Sequence, residues 1–189
     1  FTRLYVTRYP NEVAGMALID ASPDDEWLNQ EFLTGLTQFT TIVKISRWAA
    51  SLGLLRLGGA TGLFRYPVLD YSPTEVARLA QPTTYQTKYY DMVYAEINPV
   101  QMQQNADQVR AARRPLGNLP LVVLWVGSDY TSEAAKEFWF ARQRDVLTLS
   151  TNSKAIVVEG ANHISIAGVY AGDVVNALRE LVESLRAGH

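Results

Sequence analysis

Leu119-Pro120-Leu121-Val122-Val123-Leu124-Trp125-Val126, closed by Gly127-Ser128-Asp129, decides the fold class. The run is apolar throughout, without the alternation of a strand that faces water on one side. That is the pattern of a strand covered on both faces, as parallel sheets are. Two similar runs lie on either side of it. Upstream, Val13-Ala14-Gly15-Met16-Ala17-Leu18-Ile19 closes on Asp20 and on the turn residues Ala21-Ser22-Pro23-Asp24-Asp25. Downstream, Ala155-Ile156-Val157-Val158-Glu159 leads into Gly160-Ala161-Asn162-His163.

Helical periodicity fills the spaces between. Phe1 to Tyr9 stops before Pro10, because the residue preceding a proline is pushed out of the helical region. From Trp27 to about Arg114 no strand-like run occurs, and Ser72-Pro73-Thr74-Glu75 has the chemistry of a helix start. A helix is predicted from Ser132 to about Leu149. A last one is predicted with Asp173 as its cap, Val174, Val175, Leu178, Leu181, Val182 and Leu185 on its apolar face, and Gly188 beyond its end. Buried strands alternating with helices imply an α/β fold, a parallel sheet with helices on both faces. The expected organisation is core at 1–23, a helical insertion at 24–114, and core again at 115–189.

Composition narrows the function classes. With 189 residues, 48 % of them hydrophobic, and a net charge of -2, the chain is long enough for a substantial core and unlike a disordered one. Basic and acidic residues nearly balance and no basic run exceeds Arg113-Arg114, which argues against a nucleic-acid partner. No stretch approaches the roughly 18 apolar residues of a membrane span. The absence of cysteine removes disulfides, thiol nucleophiles and zinc–thiolate sites. One usable histidine makes a metal site improbable, and nothing calls for a cofactor. Gly59-Ala60-Thr61-Gly62 follows a helical segment rather than a strand and so lacks the context of a phosphate loop. Ile42 to Phe64 is apolar, interspersed with Lys44, Arg47, Arg56 and Arg65; it reads as a lid over a pocket, with a position at a membrane surface as the alternative.

In open α/β sheets function collects beyond the carboxyl ends of the strands. Asp20, Asp129 and His163 each follow one of the three strands, and His163 is the only histidine apart from the terminal His189. An imidazole held by a carboxylate is the pair that activates a serine or a water. Structural roles compete with this: His163 as a turn histidine, Asp129 as a helix cap, and Asp20 as a turn residue bonding its own backbone near Ser22 and Pro23.

The chain resembles the C-terminal part of the α/β-hydrolase family. Phe1 to Ser22 looks like the helix and strand that follow the nucleophile elbow. Gly127-Ser128-Asp129 looks like the acid turn, Gly160-Ala161-Asn162-His163 like the histidine turn, and the helical insertion like the cap domain. The resemblance implies a catalytic His163 with Asp129 as its acid, or Asp20 in members that place the acid after the preceding strand. It also implies a small-molecule substrate, mainly apolar given Trp27, Phe32, Trp48, Phe64 and Tyr66 in the insertion. The Gly-x-Ser-x-Gly elbow occurs nowhere in these residues. Ser128 and Ser165 lie in the wrong context for it. The nucleophile is therefore expected upstream of Phe1, on a segment that also completes the sheet beside the Met16–Asp20 strand.

Overall fold

The computed structural model describes residues 2–22, 24, 30–65, 71–128 and 130–187. Asp129, Trp27, Tyr66, Gly188 and His189, all singled out in the sequence, lie outside the described residues. The chain is α/β, with a three-stranded parallel sheet flanked by helices. It divides into two compact units, residues 1–24 with 108–189, and residues 25–107.

The first unit holds α1 (Thr2–Arg8), β1 (Met16–Ile19), β2 (Leu121–Val126), α7 (Glu133–Leu147), β3 (Ser153–Val158) and α8 (Ala171–Ala187). The strand order is β1-β2-β3, so the most apolar run takes the centre. Successive side chains of a strand point to opposite faces. Leu121, Val123 and Trp125 accordingly pack with Val6 of α1 and Val146 of α7. Val122, Leu124 and Val126 pack on the other face with Ala177 of α8. Every residue of β2 is buried. Burying its six side chains contributes roughly 1.5–3 kcal/mol each.

The expectation of three strands covered on both faces holds for β2 alone. β3 is exposed through Ser153–Ala155, and Ile19 of β1 is exposed, because each of these strands has a single neighbour in the sheet. β3 also begins two residues earlier than its apolar run. Met16 donates its N–H to Pro120 O and Asp20 its N–H to Leu124 O. The intervening Ala17 and Ile19 therefore turn their backbone groups toward the open edge of β1.

Two helix boundaries test the sequence rules. Ser132 caps α7, its hydroxyl accepting from Ala135 N–H at 3.0 Å. Asp173 does not cap α8. That helix starts at Ala171, and Asp173 sits in its first turn, where a carboxylate still complements the helix dipole. Of the apolar α8 residues, Val174 and Leu181 pack on the sheet, while Val175, Leu178 and Val182 are exposed.

The second unit is helical: α2 (Gln30–Ser51), α3 (Leu54–Ala60), α4 (Thr74–Ala80), α5 (Thr87–Glu96) and most of α6 (Pro99–Ala111). Its core is built on Val43, Leu55 and Tyr90, with Phe64, Tyr85, Tyr89 and Tyr94 packed around them. No strand occurs among its described residues. The unit ends at Asp107, earlier than the expected boundary at Arg114. The reason lies in the arginines that follow. Arg110 donates to Asp24 O, Arg114 donates to Thr7 O, and Arg113 pairs with Asp145, all within the sheet-bearing unit. Asp24 itself pairs with Arg3 at 3.2 Å. Burial pushes the Asp24 carboxyl up, but the Arg3 hydrogen bond and charge outweigh it and leave the group below its ordinary value.

Candidate active site

The carboxyl ends of β1 and β3 bring two of the three expected residues together. His163 Nδ1 lies 2.6 Å from Asp20 Oδ2, across a separation of 143 residues in the chain. An ionised carboxylate only accepts, so Nδ1 carries the proton and Nε2 is the basic nitrogen. The His163 side chain is 78 % exposed while that of Asp20 is 11 % exposed. The imidazole is thus offered outward from an acid that is sheltered. Asp129 lies outside the described residues, so the described geometry joins His163 to Asp20.

The register of the sheet explains how Asp20 comes to be there. Ile19 pairs with Leu124, so the next ladder bond would run from Val126 N–H to the Asp20 carbonyl. Asp20 leaves the strand with φ of 43°, and among the described residues it alone of the non-glycines has positive φ. Its carboxylate takes the carbonyl's place, Oδ1 accepting from Val126 N–H at 3.3 Å. One oxygen is thereby tied to the central strand and the other directed at the histidine. Aspartate is among the side chains that tolerate this backbone region, at a cost of order 1–3 kcal/mol.

His163 is held by its own turn. Asn162 Oδ1 accepts from Ile164 N–H at 3.1 Å and from Ser165 N–H at 2.8 Å, and Ser165 Oγ accepts from Asn162 N–H at 2.8 Å. Both side chains are buried. Ser165 is thereby committed to the turn, and Ser128 Oγ donates to Ala161 O at 2.8 Å. Gly160 has φ of 77°, and a Cβ there would come within 2.9 Å of the Tyr170 hydroxyl. Gly127, ending the neighbouring strand, would place a Cβ 3.0 Å from the Glu159 Cα. The ends of β2 and β3 approach this closely because Gly127 lacks a side chain, and Gly160 leaves room for the Tyr170 hydroxyl.

Three contributors escaped the sequence reading: the Val126 N–H, Asn162 and Tyr130. A backbone donor carries no residue signal, and Asn162 was visible only as a polar residue beside the histidine. Tyr130 donates to Val126 O at 2.8 Å and packs edge-on to Phe140. Burial, and then the negative charge of Asp20, push its phenol up to about 12. A raised folded-state value means that Tyr130 adds stability fully present below pH of about 10 and lost as the pH rises through about 12. Tyr130→Phe should therefore fall less steeply in stability across that alkaline window than the wild type. At neutral pH it should lose about 1 kcal/mol with the missing hydrogen bond. Denaturant unfolding at pH values from 7 to 12 would check both.

Of the aromatics assigned to a substrate pocket, Phe64 packs on Tyr85 within the helical unit and Trp48 is exposed. Phe32 is half-buried, and Trp27 and Tyr66 lie outside the described residues. A cavity of about 320 Å³ opens at the opposite, amino end of the sheet, lined by Pro120, Leu121, Asn152, Lys154, Glu180 and Ser184. It shares no residue with the His163 constellation. Among the described residues no helix is long and apolar enough to cross a membrane. No protein-family model, curated protein or solved structure matches the chain.

Proposed function

We propose that this chain carries the base and the acid of a serine-type α/β-hydrolase site, acting on an ester or related acyl bond of a mainly apolar substrate. The observation that carries the reading is the 2.6 Å contact of His163 Nδ1 with Asp20 at the carboxyl edge of a parallel sheet. Asp20 fixes the tautomer and orientation of the ring and stabilises the imidazolium as it forms. His163 Nε2 takes the proton of a serine hydroxyl as that oxygen attacks the acyl carbon. It then returns the proton to the departing alcohol, leaving an acyl-enzyme that water cleaves by the same steps. The serine stands on a Gly-x-Ser-x-Gly elbow outside these 189 residues, which contain no such motif.

The test is a fluorophosphonate serine probe applied to the natural protein that carries this chain, read by intact mass. One adduct, lost in His163→Ala, is the expected result. Turnover in that variant should fall by orders of magnitude with its fold intact. Undiminished hydrolysis in His163→Ala would refute the reading. His163-dependent hydrolysis without an adduct would shift it to an aspartate nucleophile, as in epoxide hydrolases and dehalogenases.

A further inference from the structure

A glutamine occupies the core face of α7. Phe140, Gln143, Val146 and Leu147 recur at helical spacing, and the three apolar ones pack into the cluster built on Leu121, Val123 and Trp125. Gln143 stands among them and is 3 % exposed. Burying a carboxamide there is costly unless it is hydrogen-bonded. Its Nε2 donates to Ala21 O at 2.9 Å, across a separation of 122 residues in the chain.

Ala21 directly follows Asp20. Its carbonyl lies beyond the pairing of β1 with β2, which ends at Ile19 with Leu124. Gln143 therefore supplies a donor that the sheet does not. Asp20 is thus held from two elements. From β2, Leu124 O accepts its N–H and Val126 N–H donates to its Oδ1. From α7, Gln143 fixes the carbonyl of the next residue, and so the course of the chain as it leaves. A non-glycine backbone at positive φ, such as the 43° of Asp20, persists only where its surroundings over-determine it. Release of the Ala21 carbonyl lets residue 20 relax toward negative φ. That rotation turns its Cα–Cβ bond and draws Oδ2 away from His163 Nδ1.

We propose that Gln143 is a positioning residue for the His163–Asp20 pair: by holding Ala21 O, it keeps Asp20 in the backbone conformation that aims Oδ2 at Nδ1. This inference rests on the site of the proposed hydrolase, through the geometry of the pair rather than through the reaction.

The test reads the tautomer of His163 in the natural protein that carries this chain. The probe is the ¹⁵N shifts of the two ring nitrogens at a pH of about 9, where an imidazole is neutral. The signals are assigned by their absence from His163→Ala. In the wild type the proton should sit on Nδ1. Gln143→Met keeps the length of the side chain and removes the donor, and the Nδ1–H share should fall at least about twofold. Gln143→Asn keeps the amide but shortens its reach by one methylene and should act alike, so the test stands if either variant folds. Val146→Ala, buried on the same helix face, should be less stable with its tautomer unchanged. On the hydrolase reading, kcat of the Gln143 variants should fall about 10²-fold with KM little changed. An unchanged tautomer in the Gln143 variants would overturn the inference, as would an equal loss in Val146→Ala or a wild type protonated on Nε2. Loss of the tautomer with kcat undiminished would support the inference and count against the hydrolase reading alone.

Discussion

Asp20→Asn is expected, on the proposed hydrolase reading, to lower turnover by about 10³–10⁴-fold, the scale seen when a triad carboxylate becomes an amide. Asparagine is the informative replacement. It tolerates the positive φ of position 20, and its amide oxygen can still accept from Val126 N–H. What it removes is the charge facing His163 Nδ1. An amide NH₂ in that place favours the tautomer with the proton on Nε2, where no base remains. The strongly deshielded Nδ1–H proton resonance expected of the carboxylate-bonded imidazole should vanish with it. Because His163 is largely exposed, stability should change by less than about 1 kcal/mol. Asp129→Asn in parallel separates the two candidate acids. A large loss in that variant with wild-type turnover in Asp20→Asn would make Asp129 the orienting acid and the Asp20 contact structural.

Leu124→Ala should destabilise the sheet-bearing unit by about 3–4 kcal/mol, within the range for deleting a fully buried leucine side chain. Leu124 is 1 % exposed, in the middle of the central strand, packed among Val122, Val126, Ala161 and Ile166. The neighbouring elements cannot close over the loss, because β2 is bonded to a strand on each side. The unfolding transition of this unit should drop by roughly 15 °C. Val175→Ala, on the exposed flank of α8, should cost no more than about 1 kcal/mol and serves as the control. Equal losses in the two variants would mean that the central strand is not where the stability of this unit resides. Leu124 also bears on the site, since its carbonyl accepts the Asp20 N–H. A partial unfolding of β2 should therefore release the Asp20–His163 contact.

The amino-acid sequence by itself determined the α/β class, the three parallel strands and the helical character of the insertion. These follow from local patterns: a strand covered on both faces must be apolar at every position, as Leu121–Val126 is, and a helix start needs a group such as Ser132 to accept its first N–H groups. It also placed His163 in a turn at the carboxyl edge of the sheet, since a turn between strand and helix is readable from Gly160 onward.

Only the tertiary structure showed that Asp20 reaches that histidine. Asp20 and Asp129 both follow apolar strands and nothing local separates them. The Asp20 contact depends on the register of β1 against β2 and on the backbone of Asp20, which substitutes its carboxylate for a ladder carbonyl. Exposure was equally beyond the local pattern. Ala155 opens a run that reads as buried and Ile42–Leu52 reads as apolar, yet Ala155 is exposed on an edge strand and the second segment shows apolar side chains outward. Periodicity records which side chains share a face. What covers that face is set by contacts between residues far apart in the chain, and those exist only once the chain is folded.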